Sequence, residues 1–228
     1  MFIPKVMKQR TAIVLGATGL IGNLLLEELI QSDIYREIRI FVRQTLDVSH
    51  SKIREYSVDF SDPMAFSEQI KGDDLFICLG TTIKKAGSVS AMEEIDRDLP
   101  FSLASIAFAN GTKRIAVVSS MGANPRSSNY YLRIKGEMEQ AIIKINFENI
   151  AIVRPSMLFG ERKEKRTGEI IAKFVMKTFN PFLFGKMKKF RGIHARDVAK
   201  AMIAILQKDQ SKMVYESDEL RQIATMIK

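Results

Sequence analysis

Gly16-Ala17-Thr18-Gly19-Leu20-Ile21-Gly22 follows an apolar, strand-like run from Thr11 to Leu15. It opens a helix-like stretch, Leu20 to Ile30, whose apolar side carries Leu24, Leu25, Leu29 and Ile30. A strand, a glycine turn and a helix in that order make a phosphate-binding unit. Gly16 permits the tight turn, Gly19 lets backbone N–H groups approach a pyrophosphate, and Gly22 lets the helix lie close against the strand. The phosphates then sit at the positive end of the helix dipole. The stretch therefore predicts a dinucleotide-binding turn.

Outward from this turn the chain alternates strand and helix. Strands are predicted at Glu37 to Val42, Ile53 to Val58, Asp74 to Leu79, Arg114 to Ser119 and Asn149 to Val153. Helices are predicted at Pro63 to Ile70, Val89 to Ala109, Tyr130 to Ile145, Gly168 to Thr178 and Ala195 to Gln207. Such alternation implies an α/β fold, a Rossmann-type doubly wound parallel sheet with helices on both faces. We read residues 1–228 as a single domain, with 156–194 as a small substrate-side or lid region. Ligands in such sheets bind beyond the carboxyl ends of the strands. At those ends lie Leu79 and Gly80, where backbone can run beside a cofactor, and Asp59, which either bonds the adenine amino group or starts a turn.

The end of the second strand bears on cofactor choice. A chain selective for NAD places Asp or Glu about 20 residues beyond the glycines, on the ribose 2′-hydroxyl. Here Arg43 and then Gln44 stand there. A guanidinium attracts a 2′-phosphate and can bond it bidentately, whereas a carboxylate repels it. The expectation is NADP(H), with NAD(H) as the lesser cofactor.

The net charge is +9, with basic runs at Arg162 to Arg166 and Lys186 to Arg191. No nucleic-acid-binding motif accompanies them, so they read as a solvated surface that attracts an anionic cofactor and an anionic carbonyl or alcohol substrate. No apolar run reaches the ~18 residues of a membrane span. Met1 to Arg10 lacks the apolar core of an export signal, which sets the expectation of a cytoplasmic protein. The single cysteine, Cys78, reads as a small buried residue, and with only His50 and His194 besides it no zinc site is expected. His194 reads as a residue that positions the chain entering a helix. Asp96-Arg97-Asp98 reads as an exposed charge cluster. The Met and Phe residues from Phe174 to Phe190 read as core, with a lid or a homodimer surface as the alternatives.

The chemically active candidates are Tyr131 and Lys135, preceded by Ser119 and Ser120 at the end of the fifth strand. Four residues apart on a helix, Tyr131 and Lys135 share one face. A nearby ammonium favours phenolate, so the tyrosine can pass a proton to or from a substrate oxygen. A strand-end serine can hydrogen-bond that oxygen. Tyr130 has no such partner, because Ile134 stands four residues beyond it.

With these motifs the chain resembles an atypical short-chain dehydrogenase/reductase of the extended branch. Arg154-Pro155-Ser156-Met157-Leu158-Phe159-Gly160 is similar to that branch's turn after the sixth strand, and Ile193-His194-Ala195-Arg196-Asp197-Val198-Ala199 to its late helix start. Leu79 to Thr82, Lys85 to Gly87, Asp96 to Asp98, Ser119-Ser120 and Tyr131 to Glu137 resemble the Tat-interacting-protein type of NADPH-binding reductase. The resemblance implies that Thr18, Gly19, Leu20 and Ile21 line the diphosphate and that Arg43 and Gln44 flank the ribose phosphate. The resembled type has a second arginine where Gln44 stands. It further implies that Leu79 and Gly80 run beside the cofactor, with Leu158 at the nicotinamide end and Arg166 reaching the cofactor. Tyr131 would be the proton donor or acceptor, Lys135 its neighbour and a ribose ligand, and Ser120 the substrate-facing serine, with Ser119 as the alternative. Two other functions fit the same motifs: a nucleotide-sugar epimerase or dehydratase that recycles its cofactor, and a regulator that binds NADPH without turnover. The short stretch after Gly168 argues against the first, and the intact Ser, Tyr and Lys set against the second.

Overall fold

In the computed structural model, which describes residues 9–46, 48–160, 190–208 and 212–226, the opening motif folds as β1 (Arg10–Leu15), a turn and α1 (Leu20–Gln31). There follow β2 (Tyr35–Val42), β3 (Ile53–Ser57), β4 (Asp74–Ile77), β5 (Arg114–Val118) and β6 (Asn149–Arg154). A two-residue pair, β7 (Leu158–Phe159) and β8 (Ile193–His194), stands apart from the main sheet, and β9 (Val214–Glu216) closes it. The main sheet has seven strands in the order β3-β2-β1-β4-β5-β6-β9, every neighbouring pair parallel. The winding reverses between β1 and β4, which opens the crevice at their carboxyl ends.

Strand alternation builds two cores. In β1, Ala12 and Val14 face one side of the sheet while Ile13 and Leu15 face the other. On the first side pack α1, α6 (Ala195–Ile205) and α7 (Ser217–Thr225), through Leu25, Leu29, Val198, Met202 and Leu220. On the second pack a 3-10 turn at Pro63–Gln69, α4 (Leu99–Ala109) and α5 (Tyr130–Ile143), through Phe66, Leu103, Met138 and Ile142. Between β4 and α4 lie the short α2 (Ile83–Ala86) and α3 (Val89–Glu93).

The amino-terminal edge is held by a buried charge. Asp74, wholly inaccessible, accepts a hydrogen bond from Tyr35 Oη at 2.6 Å, pairs with Arg10 at 3.3 Å, and is bonded by Arg114. Burial, with the Asp74 charge second, holds the Tyr35 phenol well above its ordinary range.

Three expectations change. The predicted helix Val89 to Ala109 is interrupted by a π-helical turn at Glu94–Asp98, whose extra residue rotates Asp96 inward. β3 and β4 end earlier than predicted, at Ser57 and Ile77, so Cys78 and Leu79 lie in the loop beyond β4. β9 and α7 were not predicted, because three strand residues are too few to show a period and α7 presents a mostly polar sequence. The predicted helix Gly168 to Thr178, and most of the 156–194 region, lie outside the described residues.

Candidate functional site

The glycine turn fits closely against β4. Gly16 has φ +87°, and a Cβ there would stand 2.7 Å from the carbonyl carbon of Cys78. A Cβ on Gly22 would stand 2.1 Å from the Gly16 carbonyl oxygen. Backbone therefore fills this corner, and only backbone can. No side chain caps α1 and no acidic residue occupies its first turn. The orphan N–H groups and positive dipole end are thus left for an anion, which is what a dinucleotide diphosphate requires. Thr18 and Gly19 are exposed at the turn, and Leu20 is half-buried. Ile21 buries its side chain in the first core, so only its backbone can meet a ligand.

Arg43 and Gln44 are exposed just beyond β2. Arg43 engages no carboxylate among the described residues, unlike Arg39, which is held by Glu37 at 2.6 Å. Asp59 is spent on its own turn. Its Oδ1 accepts from the Ser61 backbone N–H at 2.9 Å, and that bond, the largest cause, holds the carboxyl below its usual range. The turn reading of Asp59 thus accounts for its contacts.

At the end of β5 the two serines separate. Ser119, 4% exposed, donates its hydroxyl to Glu139 Oε1 at 2.5 Å. Glu139 is also held bidentately by Arg154, at 2.8 and 2.5 Å, and Arg154 extends to Glu216 at 3.3 Å. Ser120 is half-buried, and among the described residues its hydroxyl makes only a 3.5 Å contact to the Met121 carbonyl. The geometry therefore leaves Ser120 available and commits Ser119 to the scaffold.

Helix α5 carries the remaining pair. Asn129 caps it by accepting from the Leu132 N–H at 3.1 Å. Its close approach to the loop after β5 depends on Gly136, where a Cβ would stand 2.3 Å from Pro125 N. Tyr131 is half-buried, while Lys135 is 3% exposed. Tyr130 is engaged elsewhere: its hydroxyl donates to the Val89 carbonyl at 3.3 Å, and burial first, then Glu93, pushes the phenol up to about 12.

Lys135 Nζ lies 2.8 Å from Asp96 Oδ1. The contact is an ion pair whose angles fall outside those of a hydrogen bond, since Oδ1 has no hydrogen-bond partner. Asp96 Oδ2 accepts from the Thr81 backbone N–H at 2.8 Å. Asp96 is 0% exposed, which corrects the expectation of an exposed cluster. The cause is the π-helical turn, and the partner that stabilises the charge comes from α5. Arg97 holds this turn against the same helix through Glu137 at 2.9 Å.

Leu158 is half-buried in β7, packed on the first core. His194 caps α6, its Nδ1 accepting from the Arg196 N–H at 3.2 Å. Burial pushes the Cys78 thiol up to about 12, which leaves it protonated and unreactive. Arg166 lies outside the described residues. Sequence reasoning missed Asp96, Glu139 and Arg154 as site-forming residues.

The sheet, turn and strand-end residues define a dinucleotide-binding protein, and comparison with known proteins agrees. The chain belongs to the NAD(P)H-binding family, whose model matches residues 16–209. It is 38% identical over 202 residues to the mitochondrial protein FMP52 of Candida albicans, covering 86% of this chain and 87% of that one. It is 32% identical over 171 residues to the protein HTATIP2 of Rattus norvegicus, covering 73% and 70%. Among solved structures, MoeE5 in complex with UDP-glucose and NAD superposes with a TM-score of 0.69 at 15% identity, over 95% of this chain and 81% of that one. UDP-glucose 4-epimerase of Thermotoga maritima does so with 0.67 at 13%, over 95% and 82%. Such identities speak for the fold alone. The cytoplasmic expectation is overturned, because the similar proteins of Candida albicans, Candida glabrata and Eremothecium gossypii are named mitochondrial. Among the described residues no helix is long and apolar enough to cross a membrane.

Proposed function

We propose that this protein is an NADP(H)-dependent oxidoreductase that reduces or forms a carbonyl group, and that it works in a mitochondrial setting like its fungal relatives. The reading is supported by the side-chain-free turn at Gly16, by the loop at Gly80, where a Cβ would stand 3.7 Å from Lys135 Nζ, and by Ser120 after β5 and helix α5, which carries Tyr131 and Lys135. The bound nicotinamide supplies or accepts the hydride. The chain does the rest. Backbone at Thr18, Gly19 and Leu20 would hold the diphosphate, and Leu79, Gly80 and Leu158 would border the nicotinamide half. Ser120 would hydrogen-bond the substrate oxygen, and Tyr131 would give that oxygen its proton or take it away. Lys135, on the same helix, would hold the ribose.

The exposed Arg43, which engages no carboxylate among the described residues, supports NADP(H) over NAD(H), because a guanidinium there can bond a 2′-phosphate. The substrate class is a small carbonyl or alcohol, with the net charge of +9 favouring an anionic one. The test is NADPH oxidation against a panel of aldehydes and ketones. Turnover of at least one member, lost in Tyr131→Phe with NADPH binding retained, supports the reading. Binding without turnover of any member would favour a regulator instead.

A further inference from the structure

The buried pair Asp96–Lys135 has a consequence for the two forms of the cofactor. Lys135 is the cation that the proposed site places beside the nicotinamide ribose. Its charge is met at 2.8 Å by a carboxylate that is itself wholly buried and anchored to the Thr81 backbone. The other buried carboxylate near the end of β5, Glu139, is already balanced by the two-bond grip of Arg154. Among these four groups the charges cancel, and Asp96 is what makes them cancel.

The nicotinamide ring is a cation in NADP⁺ and neutral in NADPH, while the phosphates are the same in both. A bare ammonium beside the ring therefore repels only the oxidised form. An ammonium paired with a buried carboxylate repels neither. Resting on the proposed cofactor site, we propose that Asp96 is a specificity-determining residue: by offsetting Lys135 it sets the ratio in which NADP⁺ and NADPH bind, and so keeps the site open to both forms. The role is electrostatic positioning, since Asp96 acts on the cofactor through Lys135.

The test is calorimetric titration of the full chain with NADP⁺ and, separately, with NADPH, for the parental protein, Asp96→Asn and Asp96→Asn/Lys135→Met. Asp96→Asn keeps an acceptor for the Thr81 N–H and removes the charge. The ratio Kd(NADP⁺)/Kd(NADPH) is expected to rise by at least about tenfold in Asp96→Asn, since at an effective dielectric of ~20 one uncompensated charge within ~12 Å of the ring has at least that effect. In the double variant, where neither charge remains, the ratio should return to within about twofold of parental, since the Coulomb imbalance is gone. A merely structural role weakens both forms together and leaves the ratio unmoved, and that result overturns the proposal. So does a raised ratio that persists in the double variant. If Asp96→Asn does not fold, Lys135→Met alone gives the opposite sign, a ratio lowered by at least about tenfold, and an unchanged ratio there is equally fatal. A parental protein that binds neither form removes the underlying cofactor reading and this proposal with it. A parental protein that binds both, with unmoved ratios, removes only the role of Asp96.

Discussion

The hydroxyl of Ser119 donates to the buried carboxylate of Glu139 at 2.5 Å, so the first of the two adjacent strand-end serines is a structural residue. Its neighbour carries no comparable bond. Ser119→Ala should cost roughly 1.5–3 kcal/mol of stability, the value of one hydrogen bond to a charged group, and leave turnover largely intact. Ser120→Ala should lower turnover by ~10²-fold, the scale of one lost hydrogen bond to a reacting oxygen, with NADPH affinity unchanged. Urea denaturation and NADPH-oxidation kinetics on the two variants check this. The reverse assignment of effects would exchange their roles.

Gly22 is the tightest point of the glycine turn, with a hypothetical Cβ 2.1 Å from the Gly16 carbonyl oxygen. Gly22→Ala must push α1 away from β1. Overpacking of this kind costs ~1–3 kcal/mol, and here it displaces the N–H groups that would grip the diphosphate. The variant is expected to lose saturable NADPH binding before it loses its fold, seen as a native circular dichroism spectrum without binding heat.

Arg43 is expected to read the 2′-phosphate. Arg43→Ala should weaken NADPH by roughly tenfold or more, as for a lost hydrogen bond to a charged group, and leave NADH within a few-fold. Parallel titrations with the two reduced cofactors measure it. Equal losses for both would assign Arg43 to general electrostatics.

Tyr35 gives a pH prediction. Burial first, then Asp74, raises its phenol in the folded state. A group whose folded value is raised stabilises the protein fully below its unfolded value, about pH 10, and that stability is lost as pH climbs beyond it. Tyr35→Phe removes the bond to Asp74 at 2.6 Å and the titration together. The parental protein should therefore exceed the variant by roughly 1.5–3 kcal/mol near pH 8, the value of a hydrogen bond to a charged group. The gap should shrink above pH 10, at up to ~1.4 kcal/mol per pH unit. Denaturation curves at intervals between pH 8 and 11 test both the size and the sign.

Much of this architecture is legible in the chain because its signals are local. The glycine spacing from Gly16 to Gly22 and the four-residue step from Tyr131 to Lys135 each fit within two helical turns. Alternating apolar strands such as Ile13 and Val14 announce a sheet covered on both faces. What the chain conceals depends on partners remote in sequence. Asp96-Arg97-Asp98 has the composition of a solvated helix surface. The inward turn of Asp96 requires both a π-helical turn and an ammonium delivered by α5. Glu139 reads as one more helix-surface acid until β6 supplies Arg154. Ser119 and Ser120 are chemically identical, and only Glu139 tells them apart. Cellular location is not legible in the composition of Met1 to Arg10, and the names of the fungal relatives are what correct that expectation.

The central claim is that the turn at Gly16 holds a phosphorylated nicotinamide cofactor against helix α5. Calorimetric titration of the folded protein with NADPH addresses it most directly. The account predicts saturable binding at one site per chain, tighter than that of NADH. Folded protein that takes up neither NADPH nor NADP⁺ at saturating concentrations would contradict it.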